Sequence, residues 1–346
     1  MDGINIQKKN YDLLDLVKLI LSFMVVAIHS GLFDPYLFPW LRLAVPMFFL
    51  ISSYFFFTKV RKCETTNERL VALKDFVLRN AKLYLFWLIA LSPVIVLQRR
   101  VWFAGGILEG LLNVFLNLFI GSTFVASWFI SALIIGTVII FFASRKINNL
   151  VLFIVGVVLY VLIAIRSSYM VLFKDMTDVL LGVLKYESYM NSPVNSFPAG
   201  LFWIICGKIF ADGGVKVKLK PSIVALCISL ALLFTEWLLA WKLLGSVRED
   251  FYIMLLPACL SLFNVLLNVK PISLKYAKEM RKISTVTFAS HGAVLFIIHG
   301  LFEVLLPLTL PSVVKFISTV AICFGISMLI FFLEKFKYLK WLKYSH

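Results

Sequence analysis

The chain has 346 residues, of which 61% are hydrophobic and only 15% charged. Soluble domains run near half apolar and a quarter charged, so this composition excludes an ordinary soluble globule. The net charge of +16 does not require nucleic acid, because a basic inner face beside anionic lipid accounts for it.

Apolar runs of about 18 or more residues recur from end to end, the length needed to cross hydrocarbon. Backbone polar groups must be satisfied within the bilayer, and ten-residue alternating strands are absent, so the runs are helices. The expected architecture is an all-α polytopic membrane protein, a single domain over residues 1–346. It has about ten spans, near 13–33, 40–58, 83–98, 124–143, 150–165, 197–211, 221–243, 251–269, 284–306 and 313–334. The polar N-terminus and a first apolar run without a small-residue cleavage site argue against a cleavable signal peptide. With the N-terminus inside, 23 of the 34 Lys and Arg fall in inner segments (two at 8–9, seven over 59–82, two at 145–146, three over 216–220, five over 270–282, four over 335–343) and seven in outer ones. That asymmetry predicts cytoplasmic termini, with 1–12 and 335–346 as tails, in the cell membrane. The five cysteines, 63, 206, 227, 259 and 323, avoid the outer loops and form no CxxC pair, so neither a disulfide framework nor a metal site is expected.

The first span, LDLVKLILSFMVVAIHSGLF, carries two ionisable residues, Lys18 and His29. Eleven residues turn a helix through roughly 1,100°, within about 20° of three turns, so both share a face, with a rise of roughly 16 Å between them. Asp15 and Ser22 join that face at spacings of three and four. Asp15 lies too far along the helix to pair with His29. Lys18 alone suits snorkelling to inner headgroups, and His29 alone suits packing against a carbonyl. Together they mark two depths of one polar face, and histidine changes protonation near neutral pH.

The second span reads RLAVPMFFLISSYFFFTK, and FVLRNAKLYLFW follows the basic segment after it. Arg79 and Lys82 there are two cations at spacing three, suited to a phosphate-rich ligand or simply to the inner membrane face. Next, GGILEGLLNVFLNLFIG is too short for a confident span and reads as a spanning, re-entrant or surface segment. In SWFISAL, Trp128 by itself is an interfacial aromatic. Residues 166–196, with Tyr169, Tyr186, Tyr189, Asn191 and Asn195, form the largest outer segment. Glu236 and Glu303 are intramembrane carboxylates that need partners, and either is placed to orient a histidine. STVTFASHGAVLFIIHG carries His291 and His299 two turns apart.

These motifs resemble the integral-membrane acyltransferase 3 family. That family has a basic residue, ten intervening residues and a histidine in its first span, matched by Lys18 and His29. Its second span reads R-x-x-V-P-x-F-F-x-I-S-G-Y, matched at Arg42, Val45, Pro46, Phe48, Phe49, Ile51, Ser52 and Tyr54. Ser53 stands at the usual glycine and Lys18 at the usual arginine, which keeps charge but loses bidentate phosphate geometry. The R-x-x-R motif maps to Arg79 and Lys82, the W-F stretch to Trp128, an asparagine to Asn195, and a late F-x-I-Y-x-x-H motif to His291 with Phe288 at the tyrosine. The resemblance implies transfer of an acyl group, commonly acetyl, from cytosolic acyl-CoA to a hydroxyl of an extracytoplasmic glycan or lipid-linked sugar. It implies no bound cofactor and no metal. Lys18, Arg79 and Lys82 would receive acyl-CoA. His29 would act as general base or as acyl carrier. Ser52, Ser53 or Trp128 would supply oxyanion donors, and Ser22, Arg42, Asn195 and His291 would line the cavity. The rival expectation is a transporter of a glycan or small solute, although no inverted repeat is visible.

Overall fold

The computed structural model describes residues 11–32, 35–173, 193–215, 217–245 and 250–346. Among these residues the chain is helical and contains no strand. The helices are α1 (Asp12–Ser30), α2 (Phe38–Leu41), α3 (Ala44–Arg61), α4 (Thr66–Ala90), α5 (Ser92–Gln98), α6 (Ile107–Phe119), α7 (Ser127–Ala143), α8 (Asn149–Arg166), α9 (Phe197–Ala211), α10 (Leu219–Leu244), α11 (Leu255–Asn268), α12 (Ala277–His299) and α13 (Ser312–Leu333). A short 3-10 segment, Lys337–Ser345, closes the described chain.

Every predicted span contains a helix, though the helices differ in length. Among the described residues, six helical stretches are long and apolar enough to cross a bilayer, seven if α4 and α5 count as one. The spans predicted at 124–143, 197–211 and 251–269 are the shorter apolar helices α7, α9 and α11. The predicted third span is also redrawn. Helix α4 begins at Thr66, whose preceding residue Thr65 accepts from the Glu68 amide at 3.2 Å as an N-cap. It then turns by 69° into α5. Pro93 sits in the first turn of α5, lacks an amide hydrogen and would crowd the Ile89 carbonyl in a straight helix. The Ser92 hydroxyl donates to that carbonyl at 2.8 Å.

Two helix pairings position the site. Helix α1 runs along α12, tied where the Ser284 hydroxyl donates to the Lys18 carbonyl at 2.8 Å and where the Leu274 amide donates to Asp12 at 2.8 Å. Helix α3 runs against α9. Their approach is close because α9 presents glycines. A Cβ at Gly200 would lie 2.7 Å from the Phe49 ring, and one at Gly207 would lie 2.9 Å from the Leu50 carbonyl and also strike Ser53. Small residues at such contacts are how helices associate in lipid, where no hydrophobic gain drives them together. Aromatic and aliphatic side chains of α3, α7 and α9 fill the core, including Phe49, Phe129 and Trp203. Ile154, Val158, Val224, Ile228, Ile317 and Phe332 on α8, α10 and α13 stay exposed. A broad outward apolar surface of this kind suits a lipid environment.

Candidate functional site

Two cavities flank α1, one toward each end. The larger has a volume of about 800 Å³ and is lined by Asp15, Lys18, Ser52, Arg79, Lys82, Arg281, Lys282 and Lys343, among others. It therefore gathers six cations and few acids. Lys18 is half-buried with its ammonium 5.2 Å from the Phe55 ring centroid. Arg79 and Lys82 are exposed on α4, 5.7 Å from the Phe76 ring and 5.1 Å from the Tyr344 ring respectively. Both lie within the continuous α4, several turns after its start, rather than at a helix end as the third-span boundary implied. Asp15 is buried and faces Arg281 at 3.6 Å, and Asp75 also lines the wall, so two acids offset part of the six positive charges and leave a net cationic chamber.

The segment expected as a C-terminal tail folds back to wall this chamber, through Lys343, Tyr344 and His346. The Trp87 indole donates to the Ser345 carbonyl at 3.0 Å. Glu334 accepts from Lys282 at 3.0 Å and from the His346 Nε2 at 2.9 Å. Partial burial pushes the Glu334 carboxyl up, but the bonds from His346 and Lys282 outweigh it and hold the group below its ordinary value. Burial draws His346 below the ordinary imidazole value, against the pull of Glu334.

The second cavity, about 340 Å³, is lined by His29, Arg42, Phe49, Trp128, Asn195, Trp203 and Asp250, among others. His29 keeps an exposed edge there. Arg42 forms an ion pair with Asp250 and lies 4.1 Å from the Phe38 ring centroid. Tyr186, Tyr189 and Asn191 of the predicted outer segment lie outside the described residues, as do Lys8, Lys9, Lys174, Lys185, Lys216 and Arg248 of the charge pattern.

His291 is fully buried, with its ring centroid 5.0 Å from that of His29. Its Nδ1 lies 2.8 Å from the Phe288 carbonyl. A carbonyl only accepts, so Nδ1 carries the hydrogen in neutral His291 and Nε2 presents a lone pair. That Nε2 is buried without a partner among the described residues. A buried acceptor beside a second imidazole can take a hydrogen from it and fix which nitrogen of His29 stays basic. Thus α1 and α12 bring two histidines together, His29 on the wall of the second cavity and His291, expected to line the cavity, buried behind it and lining neither.

Several expected residues stand elsewhere. Ser22 is buried, its hydroxyl donating to the Leu19 carbonyl at 2.7 Å, and it lines neither cavity. The Ser53 hydroxyl donates to the Phe49 carbonyl at 2.6 Å and packs on Gly207. Ser53 thus serves the α3–α9 contact and presents no donor to either cavity. Neither carboxylate orients a cavity histidine. Glu236 accepts from the Ile253 and Met254 amides at 2.6 and 2.7 Å and from the Tyr169 hydroxyl, pinning the start of α11. Glu303 accepts from His299 at 2.7 Å and Lys315 at 2.5 Å, away from both cavities.

Sequence reading also left residues unassigned. Arg281, Lys282 and Lys343 counted only as inner-face charge. A signal for Arg281 existed, since positions 281, 284, 288 and 291 of α12 follow one helix face. Asp250 carried no such signal, because its partner Arg42 lies in the turn between α2 and α3, more than 200 positions away.

Comparison with known proteins bears on the family. An acyltransferase-domain family model matches residues 11–331, nearly the whole chain. An amino-acid racemase of Enterococcus faecalis is 26% identical over 342 residues, which is 93% of this chain but 46% of that protein. A second amino-acid racemase of Enterococcus faecalis is 24% identical over 279 residues, 76% of this chain and 37% of that protein. The chain therefore spans less than half the length of these curated relatives, and no solved structure matches it. A match over nearly the full length, on a helical membrane protein with opposed cationic and histidine-bearing cavities, places this chain in the acyltransferase 3 family.

Proposed function

We propose that the protein transfers an acyl group, acetyl by preference, from cytosolic acyl-CoA to a hydroxyl of an extracytoplasmic glycan or lipid-linked sugar. The observation that supports this most is the placement of the six-cation chamber and the His29 cavity at opposite ends of one helix, with His291 between them. Acyl-CoA is polyanionic, so it docks in the cationic chamber with its phosphates near Lys18, Arg79, Lys82 and Arg281. The acceptor enters the second cavity, where the Arg42–Asp250 pair, Trp128 and Asn195 offer polar and aromatic contacts suited to a sugar.

In the direct route His29 removes the acceptor's hydroxyl proton. The oxygen attacks the thioester carbonyl, the carbon–sulfur bond breaks, and the thiolate leaves as CoA and takes up the proton. In the relay route the His29 nitrogen attacks the thioester carbonyl and the carbon–sulfur bond breaks to release CoA thiolate; the acceptor oxygen then attacks the acyl-imidazole, the carbon–nitrogen bond breaks, and the hydroxyl proton goes to the thiolate. His291, whose ring lies 5.0 Å from that of His29, is the neighbour best placed to orient it in either route. His29→Ala is expected to lower acyl transfer by about 10²–10⁴-fold while the protein still inserts. Incorporation of label from acetyl-CoA into surface glycan measures this, and retained incorporation rejects the assigned role.

A second reading is favoured by the opposed cavities themselves. A pathway with one chamber toward each face also fits a solute carrier, and the racemase names of the relatives suggest an amino acid as the solute. The racemase activity itself belongs to proteins more than twice as long as the matched stretch, so it is not transferred to this chain. Uptake of labelled amino acid into vesicles, without any acetyl incorporation, would select the carrier reading.

A further inference from the structure

Phe48, Phe129 and Phe288 separate the two cavities. All three line the cationic chamber and are buried. Their ring centroids stand 5.1 Å (Phe48–Phe288), 5.2 Å (Phe129–Phe288) and 6.0 Å (Phe48–Phe129) apart. Rings at such separations are in contact, so the three form a closed triangle. On one side of it lies the chamber. On the other lie Phe49, 4.5 Å from Phe129 and lining the second cavity, and His291, 6.3 Å from Phe288.

We infer that this triangle is the acyl-length determinant: it admits a two-carbon acyl group and excludes chains of six carbons or more. The inference rests on the acyl-CoA reading above. A donor whose phosphates lie among the cations points its thioester at the triangle, because that is the end of the chamber nearest His291 and His29. The thioester carbonyl must approach the imidazole from the chamber side, and the acyl chain beside it must be housed among three rings already in contact. A methyl group needs small ring rotations. A longer chain needs the rings displaced, and close-packed aromatic walls resist that. Phe288 has least freedom, since its own carbonyl holds His291 Nδ1 at 2.8 Å. Moving its backbone would disturb the imidazole it positions.

The test uses the full chain in lipid nanodiscs titrated with CoA, acetyl-CoA, butyryl-CoA and hexanoyl-CoA. The readout is the ratio of acetyl-CoA to hexanoyl-CoA affinity within each variant, which needs no acceptor. Wild type is expected to bind acetyl-CoA about tenfold or more tightly than hexanoyl-CoA. Phe288→Ala is expected to narrow the ratio below about threefold, since truncating a packed ring opens room for the added methylenes. Phe129→Leu and Phe48→Leu repeat the measurement with milder truncations should Phe288→Ala fail to insert. Arg79→Ala serves as control, lowering affinity for every thioester alike and leaving the ratio in place. A flat wild-type profile, or ratios unmoved in the folded ring variants, overturns the length determinant. If CoA binds, Arg79→Ala weakens it and only the ratio is flat, the acyl-CoA reading survives alone. If wild type binds no CoA at all, that reading fails and the length determinant with it.

Discussion

A single carbonyl decides the chemistry of His291. Bound at Nδ1 to the Phe288 carbonyl and buried at Nε2 without a described partner, this imidazole keeps a free lone pair in a ring 5.0 Å from that of His29. The cations of the larger chamber act differently: Arg281 and Lys282 meet Asp15 and Glu334, whereas Arg79 and Lys82 stand beside the Phe76 and Tyr344 rings. Arg79 is exposed there on α4, so its substitution leaves no buried group unsatisfied. Arg79→Ala is expected to weaken CoA binding about tenfold, as loss of one charged contact to phosphate predicts, with little change in thermal stability. Titration calorimetry with CoA checks this, and an unchanged affinity would remove Arg79 from the donor site. His29, Lys18 and the Arg79–Lys82 pair were legible from residue type and spacing alone. Arg42 was legible as a motif residue but not as one half of an ion pair with Asp250.

At the scale of the element, the α3–α9 contact carries a prediction of its own. Ser53 departs from the glycine that the resembled motif would place there, and Gly207 faces it. Two small residues keep the helices close, and a branched side chain at Gly207 would meet the Leu50 carbonyl and the Ser53 hydroxyl. Gly207→Val is expected to destabilise the detergent-solubilised protein by about 1–3 kcal/mol, read as a lowered midpoint of thermal unfolding; an unchanged midpoint would show that α9 simply slides away. Helix α4 teaches a different lesson. Hydropathy smoothed over 83–98 predicts one straight span, yet Pro93 bends the chain there by 69°. The polar stretch from Thr66, too charged to read as a span, continues the same helix and carries Arg79 and Lys82 to the chamber wall.

For the whole molecule, six cations around one chamber make binding a matter of long-range charge. Salt screens exposed charges, with a Debye length near 10 Å at about 0.1 M. Raising salt from about 50 mM to about 500 mM is therefore expected to weaken CoA binding by about tenfold, as the screening length shrinks. A neutral pantetheine thioester, lacking the phosphates, should respond little. Equal salt responses of the two probes would count against a cationic donor chamber. The described arrangement also requires the last segment, since Lys343, Tyr344 and His346 complete the wall.

Sequence alone determined the membrane class, the helical state and the face of α1 that carries Lys18 and His29. Composition reports solvent, backbone hydrogen bonding in lipid leaves the helix as the solution, and a period of 3.6 residues fixes which neighbours share a face. Tertiary structure alone decided that Arg281, Lys282 and Lys343 join Lys18 and Arg79, that Asp250 meets Arg42, and that Phe48, Phe129 and Phe288 stand between the cavities. Those residues lie up to hundreds of positions apart. No local period records which helix packs on which, so their meeting is set only when α1 lies along α12 and α3 against α9.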